Sequence, residues 1–112
     1  MKLDELLDTC VRRGASDLHL NPGRPPVLRI SGSLHSLEGG PLDDAATAEL
    51  ARGLCDEPHW AEVTERGTTD FGLAHTTGDR FRVSVMRQRG RLSAVLRLIP
   101  SQLLSMEQIL SL

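Results

Sequence analysis

The sequence predicts an α+β domain, an antiparallel sheet of about five to six strands with helices packed on one face. Three observations carry that expectation. Apolar residues recur with a helical period over 3–13 and 43–66, while the remaining stretches alternate apolar with polar. The alternating stretches fall into two runs of three, joined by short turn-rich segments, and short joins favour antiparallel pairing over long crossovers. Each alternating stretch keeps one apolar face, as a sheet does when helices cover one side.

The first helix is expected over 3–13, where Leu3, Leu6, Leu7 and Val11 share a face and Gly14 supplies the stop. SDLHL (16–20) then alternates, with Leu18 and Leu20 on one side and Asp17 and His19 on a wet one. NPGRPP (21–26) is a turn-rich loop, VLRIS (27–31) a strand, Ser31-Gly32 a tight turn, and SLHSL (33–37) the returning strand. EGGPLDD breaks the pattern, and Asp43 or Asp44 can cap a helix with Ala46, Leu50 and Leu54 on one face. Pro58 splits this region, so that a second helix starts near EPHW and ends at Gly67. Trp60 packs from the start of that helix onto the core. From 68 the period becomes alternating: TTDFGLAHT (68–76), RFRVSVMRQ (80–88) and RLSAVLRLI (91–99) are strands, and Pro100 ends the last. SQLLSMEQILSL, with Ser105 as a cap, begins another helix.

A chain of 112 residues suits one domain with one core. Phe71, Phe81 and Trp60 are its only aromatic residues, so the core is aliphatic and a base-stacking platform for single-stranded nucleic acid is not expected. A formal net charge of −2 gives no general attraction to DNA or anionic lipid. No apolar run approaches the roughly 20 residues that cross a bilayer. The start, MKLDELLDTC, is acidic and amphipathic rather than a secretory signal, so the expectation is a cytosolic chain. Cys10 and Cys55 are isolated, lack a CxxC spacing, and read as reduced core or near-surface residues. His35, His59 and His75 lie far apart without metal-ligand spacing. Asp17 and His19 share a strand face; they read as structural or interface hydrogen-bonding groups before an acid–base pair.

Positive charge is concentrated in one segment, DRFRVSVMRQRGRLSAVLRL (79–98), which holds Arg80, Arg82, Arg87, Arg89, Arg91 and Arg97. If Arg89-Gly90 is a two-residue hairpin turn, paired positions sum to 179. Arg82 then lies opposite Arg97, with Arg80 and Ser84 on the same face and Phe81, Val83 and Val85 on the core face. Like charges directly opposite one another repel. The face is therefore either solvated and laced with salt bridges, or an anion site in which arginine forks grip phosphate or carboxylate oxygens. The pattern leaves both open.

A resemblance bears on that choice. GASDLHL (14–20), GRPPVLRISG (23–32), TTDF (68–71), RFRVSVMRQRG (80–90) and LRLIPS (96–101) occur in the order and spacing of a known family. The chain resembles the N-terminal domain of PilT-like ATPases, the twitching-motility motors that retract type IV pili, within the secretion ATPase superfamily. The resemblance implies a PAS-like domain over 1–100, with 101–112 starting a linker to a RecA-like ATPase domain absent from this sequence. The family's hydrolytic loop, GxxxxGK[ST], does not occur in these residues. No hydrolysis is expected of this chain by itself; ATP and Mg belong to the parent motor. The implied partners are the RecA-like domain of the same or a neighbouring subunit in a homohexamer, and the inner-membrane pilus machinery on its cytoplasmic side. Nucleic acid and direct membrane insertion are not expected. The resemblance also implies that Arg80, Arg82 and Arg97 sense the nucleotide phosphates. The alternatives are a free-standing PAS-like sensor or adaptor for a small molecule or protein partner, and a nucleic-acid module using the basic hairpin.

Overall fold

The computed structural model describes residues 2–100. They form α1 (Leu3–Arg12), β1 (Asp17–Leu20), β2 (Val27–Ile30), β3 (Ser33–Ser36), α2 (Asp44–Leu54), α3 (Glu57–Arg66), β4 (Thr68–Ala74), β5 (Arg80–Gln88) and β6 (Arg91–Ile99). The expected start of a helix after Pro100 lies outside the described residues.

All six strands join one antiparallel sheet in the order β3-β2-β1-β6-β5-β4. Each run of three strands is a meander, and the two runs meet where β1 pairs with β6. That junction puts β3 at one edge and β4 at the other. The connection between them, α2 and α3, therefore has to cross the sheet, and this covers one face. Leu18, Leu20, Leu28, Phe81, Val83, Val85, Leu92, Ala94 and Leu96 line that face. Leu6, Leu7, Cys10, Leu50, Ala51, Leu54 and Val63 pack on them from the helices. Leu98, near the end of β6, is only half-buried. Both cysteines are free and buried, and loss of solvation, helped by the charge of Asp17, pushes the Cys10 thiol up to about 11. Trp60 is half-buried against the core, with the Arg52 guanidinium 5.1 Å from its ring centroid.

Local chemistry sets the boundaries. Asp43 caps α2 by accepting the Ala46 N–H at 2.7 Å, and Asp56 caps α3 by accepting the His59 N–H at 2.9 Å. Pro58 lies in the first turn of α3, where no intrahelical donor is lost. Gly67 ends α3 at φ +85° and donates to the Val63 carbonyl. A side chain is disfavoured in that left-handed conformation by about 1–2 kcal/mol, so Gly67→Ala should lower stability by this amount in urea denaturation. An unchanged midpoint would show that the α3–β4 joint relaxes freely.

Two expectations are corrected. The strand over 68–76 stops at Ala74, because the His75 N–H bonds to Asp79 O and the Gly78 N–H to His75 O, closing a turn. His75 instead turns inward: its side chain is 3% exposed and its Nε2–H donates to Asp8 of α1 at 2.6 Å. The second correction concerns β1. The side of Asp17 and His19 is not wet, since Asp17 is only 6% exposed. β1 is central, and long side chains from β2 and β6 cover it.

Candidate functional site

The six arginines of the β5–β6 hairpin divide into three groups. Arg89 and Gly90, at φ +55° and +76°, form the two-residue turn, which sets the 179 register seen along the whole hairpin. Arg87 and Arg91 have structural partners. Arg87 Nη2 donates to Thr64 O at 2.7 Å and its Nε to Val63 O at 3.4 Å, satisfying carbonyls at the end of α3. Arg91 Nε donates to Asp44 in the first turn of α2 at 3.0 Å. Arg80, Arg82 and Arg97 lie on the sheet face opposite the helices, all exposed, with Arg82 and Arg97 as direct cross-strand partners. Among the described residues Arg80 and Arg82 form no salt bridge.

The register extends the cluster. Arg97 is opposite Asp17 on β1, and Asp17 is opposite Arg29 on β2. Arg82, Arg97, Asp17 and Arg29 thus form one row across four adjacent strands, with Gly72 of β4 continuing it without a side chain. Arg97 Nε donates to Asp17 Oδ1 at 3.2 Å. Asp17 Oδ2 accepts the Ser16 hydroxyl at 2.7 Å and faces Arg29 Nε at 4.0 Å. A shallow depression lined by Arg82, Ser84, Val95 and Arg97 opens beside the row. Ser84 donates to Asp70 at its rim, and His19 points its buried Nε2 at no hydrogen-bond partner among the described residues.

Arg29 has no counterpart in the sequence-based reading of the site. VLRIS shows only that Arg29 faces away from the core. Its place beside Asp17 depends on the register across the loop at 21–26, which no turn type dictates.

Burial by itself would raise the Asp17 pKa, but the Ser16 hydroxyl and the bond and charge of Arg97 outweigh it, leaving the carboxyl below its usual 3.8. A carboxyl lowered in the folded state contributes stability above its unfolded pKa, and that contribution is lost as pH falls through the folded value. Acid unfolding below about pH 4 should therefore be shallower in Asp17→Asn than in the wild type. Parallel pH-stability curves would show that Asp17 is not held by its arginines.

No protein-family model matches the chain. Among curated proteins, the type IV pilus retraction ATPase PilT of Pseudomonas aeruginosa is 34% identical over 109 residues, 97% of this chain and 32% of that protein. The chain corresponds to the N-terminal region of the PilT-type secretion ATPases. Two further curated proteins match over 97% of the chain: the uncharacterized protein YggR of Escherichia coli at 34% identity (32% of its length) and the type IV pilus ATPase PilU of P. aeruginosa at 29% (28% of its length). The chain thus spans about a third of these relatives (32% of PilT). A crystal structure of the retraction motor PilT with bound ADP superposes with a TM-score of 0.82 at 35% identity, covering 90% of this chain and 30% of that one. The Legionella pneumophila ATPase DotB shares the fold, with a TM-score of 0.73 at 18% identity over 97% of this chain and 33% of its own.

Proposed function

We propose that this chain is the nucleotide-responsive N-terminal domain of a type IV pilus retraction motor, contributing ring assembly, coupling of domain motion and phosphate-sensing arginines. One observation carries the reading: Arg82 and Arg97 face each other on the open sheet face with Arg80 one step along, a like-charge arrangement that an anion bridging the two forks would stabilise. The PilT relative whose structure holds ADP supports the choice of phosphate as that anion. Hydrolysis then belongs to a RecA-like domain, whose phosphate loop would hold ATP and Mg. The open face of this sheet docks against such a domain of the same or a neighbouring subunit in a hexamer. The arginine forks donate to phosphate oxygens that gain charge in the transition state, and so report the nucleotide state to the sheet and its helices. No helix among the described residues is long and apolar enough to cross a membrane. The motor would act from the cytoplasmic side on the inner-membrane pilus machinery. The deciding experiment is ATP turnover by a full-length motor lacking the three side chains, measured on assembled rings.

A further inference from the structure

We infer that Asp17 is an internal counter-anion that holds Arg97 until an external phosphate displaces it, and that Arg29 then keeps Asp17 paired. This rests on the arginine face being the phosphate site proposed above, and adds to it a competitor and a fourth participating residue.

The geometry divides the labour within the row. Asp17 is the fixed member, its side chain 9% exposed, whereas the Arg97 side chain is 74% exposed. Arg97 uses only its Nε on the carboxylate. Its two Nη groups bond to no described residue, so the terminal fork can reach outward while still tethered. A carboxylate so little exposed cannot be stranded without a large cost. Asp17 avoids this because its other oxygen already has the Ser16 hydroxyl at 2.7 Å and Arg29 at 4.0 Å. Arg29 has to move only slightly to take the place of Arg97. When Arg97 leaves, it leaves toward Arg82, its cross-strand partner, and the two guanidinium groups meet whatever has drawn it away.

The counter-anion also selects the ligand. Arg97 already has a carboxylate, so a singly charged, carboxylate-like ion offers no gain. A phosphate with two or more negative charges can bridge Arg97 and Arg82 together, which Asp17 cannot do, since it lies on the far side of Arg97 from Arg82. The predicted ligand class is a multiply charged phosphate, and carboxylates are excluded. The charge balance is consistent with this: three arginines and one aspartate leave the row at +2.

The test is pyrophosphate binding to residues 1–112 at low ionic strength, followed by NMR, with acetate as the competing probe. Asp17→Asn should tighten pyrophosphate binding about five- to tenfold, the effect of removing one nearby negative charge, and should let acetate bind as well. The gain should vanish when Arg97→Ala is also present. A gain that persists without Arg97 would reduce the effect to net charge and overturn the inference, as would no gain at all. Arg82→Ala separates the two levels. If it leaves pyrophosphate binding unchanged, or if neither wild type nor Asp17→Asn binds, the phosphate reading fails with the inference. If it weakens binding while Asp17→Asn changes nothing, only the inference fails. Should the Asp17→Asn variant unfold, the wild type decides: added pyrophosphate must shift the Arg97 Nε–H resonance and slow exchange of the Arg29 Nε–H. An Arg29 resonance that does not respond would refute the exchange.

Discussion

The combined substitution Arg80→Ala, Arg82→Ala and Arg97→Ala should leave the domain folded and a full-length ring assembled, while ATP turnover falls about a hundredfold or more. The stability side follows from exposure: all three side chains lie on the open face and none fills the core. Removing Arg82 relieves the repulsion with Arg97 opposite. Removing Arg97 costs Asp17 one bond, but Ser16 and Arg29 remain to hold it. The catalytic side follows from where the charge would be felt. In a water-poor interface, donors already aimed at developing phosphate charge need no reorganisation, and each is worth far more than in water. Arg82→Ala alone should cost about tenfold, because its fork faces the depression and has no other partner among the described residues. Turnover near wild type in rings shown by light scattering to be intact would reduce the cluster to a charged surface.

Phe81→Ala should remove about 3–5 kcal/mol of stability, which for a domain of this size is enough to leave much of it unfolded at physiological temperature. Phe81 is wholly buried and the largest side chain in the core. It lies on β5 between Leu73 of β4 and Leu98 of β6, with the edge of His75 at 6.5 Å between ring centroids. With strands on both sides, the cavity has little room to collapse. Phe71→Ala is the comparison. Phe71 is half-buried on β4, with the tilted ring of the half-buried His59 at 4.6 Å between centroids, so its loss should cost distinctly less. Chemical denaturation of the two variants measures the difference. Equal costs would mean that the alternation holding Phe81 inward, and hence Arg80 and Arg82 outward, is not what organises this sheet.

The parts of the fold that were legible in the sequence are those set by near neighbours. Arg89-Gly90 is a turn that only two residues can define, and it carries the pairing of Arg82 with Arg97 over nine residues of strand on either side. The Asp43 cap, the Pro58 break and the Gly67 stop are local signals of the same kind. Strand parity then places Arg80 and Arg82 opposite Phe81 and Val83 without further information. His75 shows the limit. Its position just past an alternating run reads as more strand, yet its destination is Asp8, 67 residues away, and no local pattern announces such a partner.

The α+β class, the β5–β6 register and the outward face of Arg80, Arg82 and Arg97 were determined by the sequence alone, because side-chain alternation and turn chemistry act within a few residues. The likeness to the N-terminal region of PilT was legible too, from motifs that keep their order along the chain. Only the tertiary structure decided that β1 lies beside β6, since a pairing between strands separated by most of the chain depends on how two meanders share one core. That junction turns three exposed arginines into a row of charges. It brings Asp17 beneath Arg97, while the β1–β2 register sets Arg29 on the other side of Asp17, and together they bury a carboxylate on a face that strand parity marks as wet. Polarity in the sequence says which residues can face water; whether water reaches them depends on what the neighbouring strands lay across them.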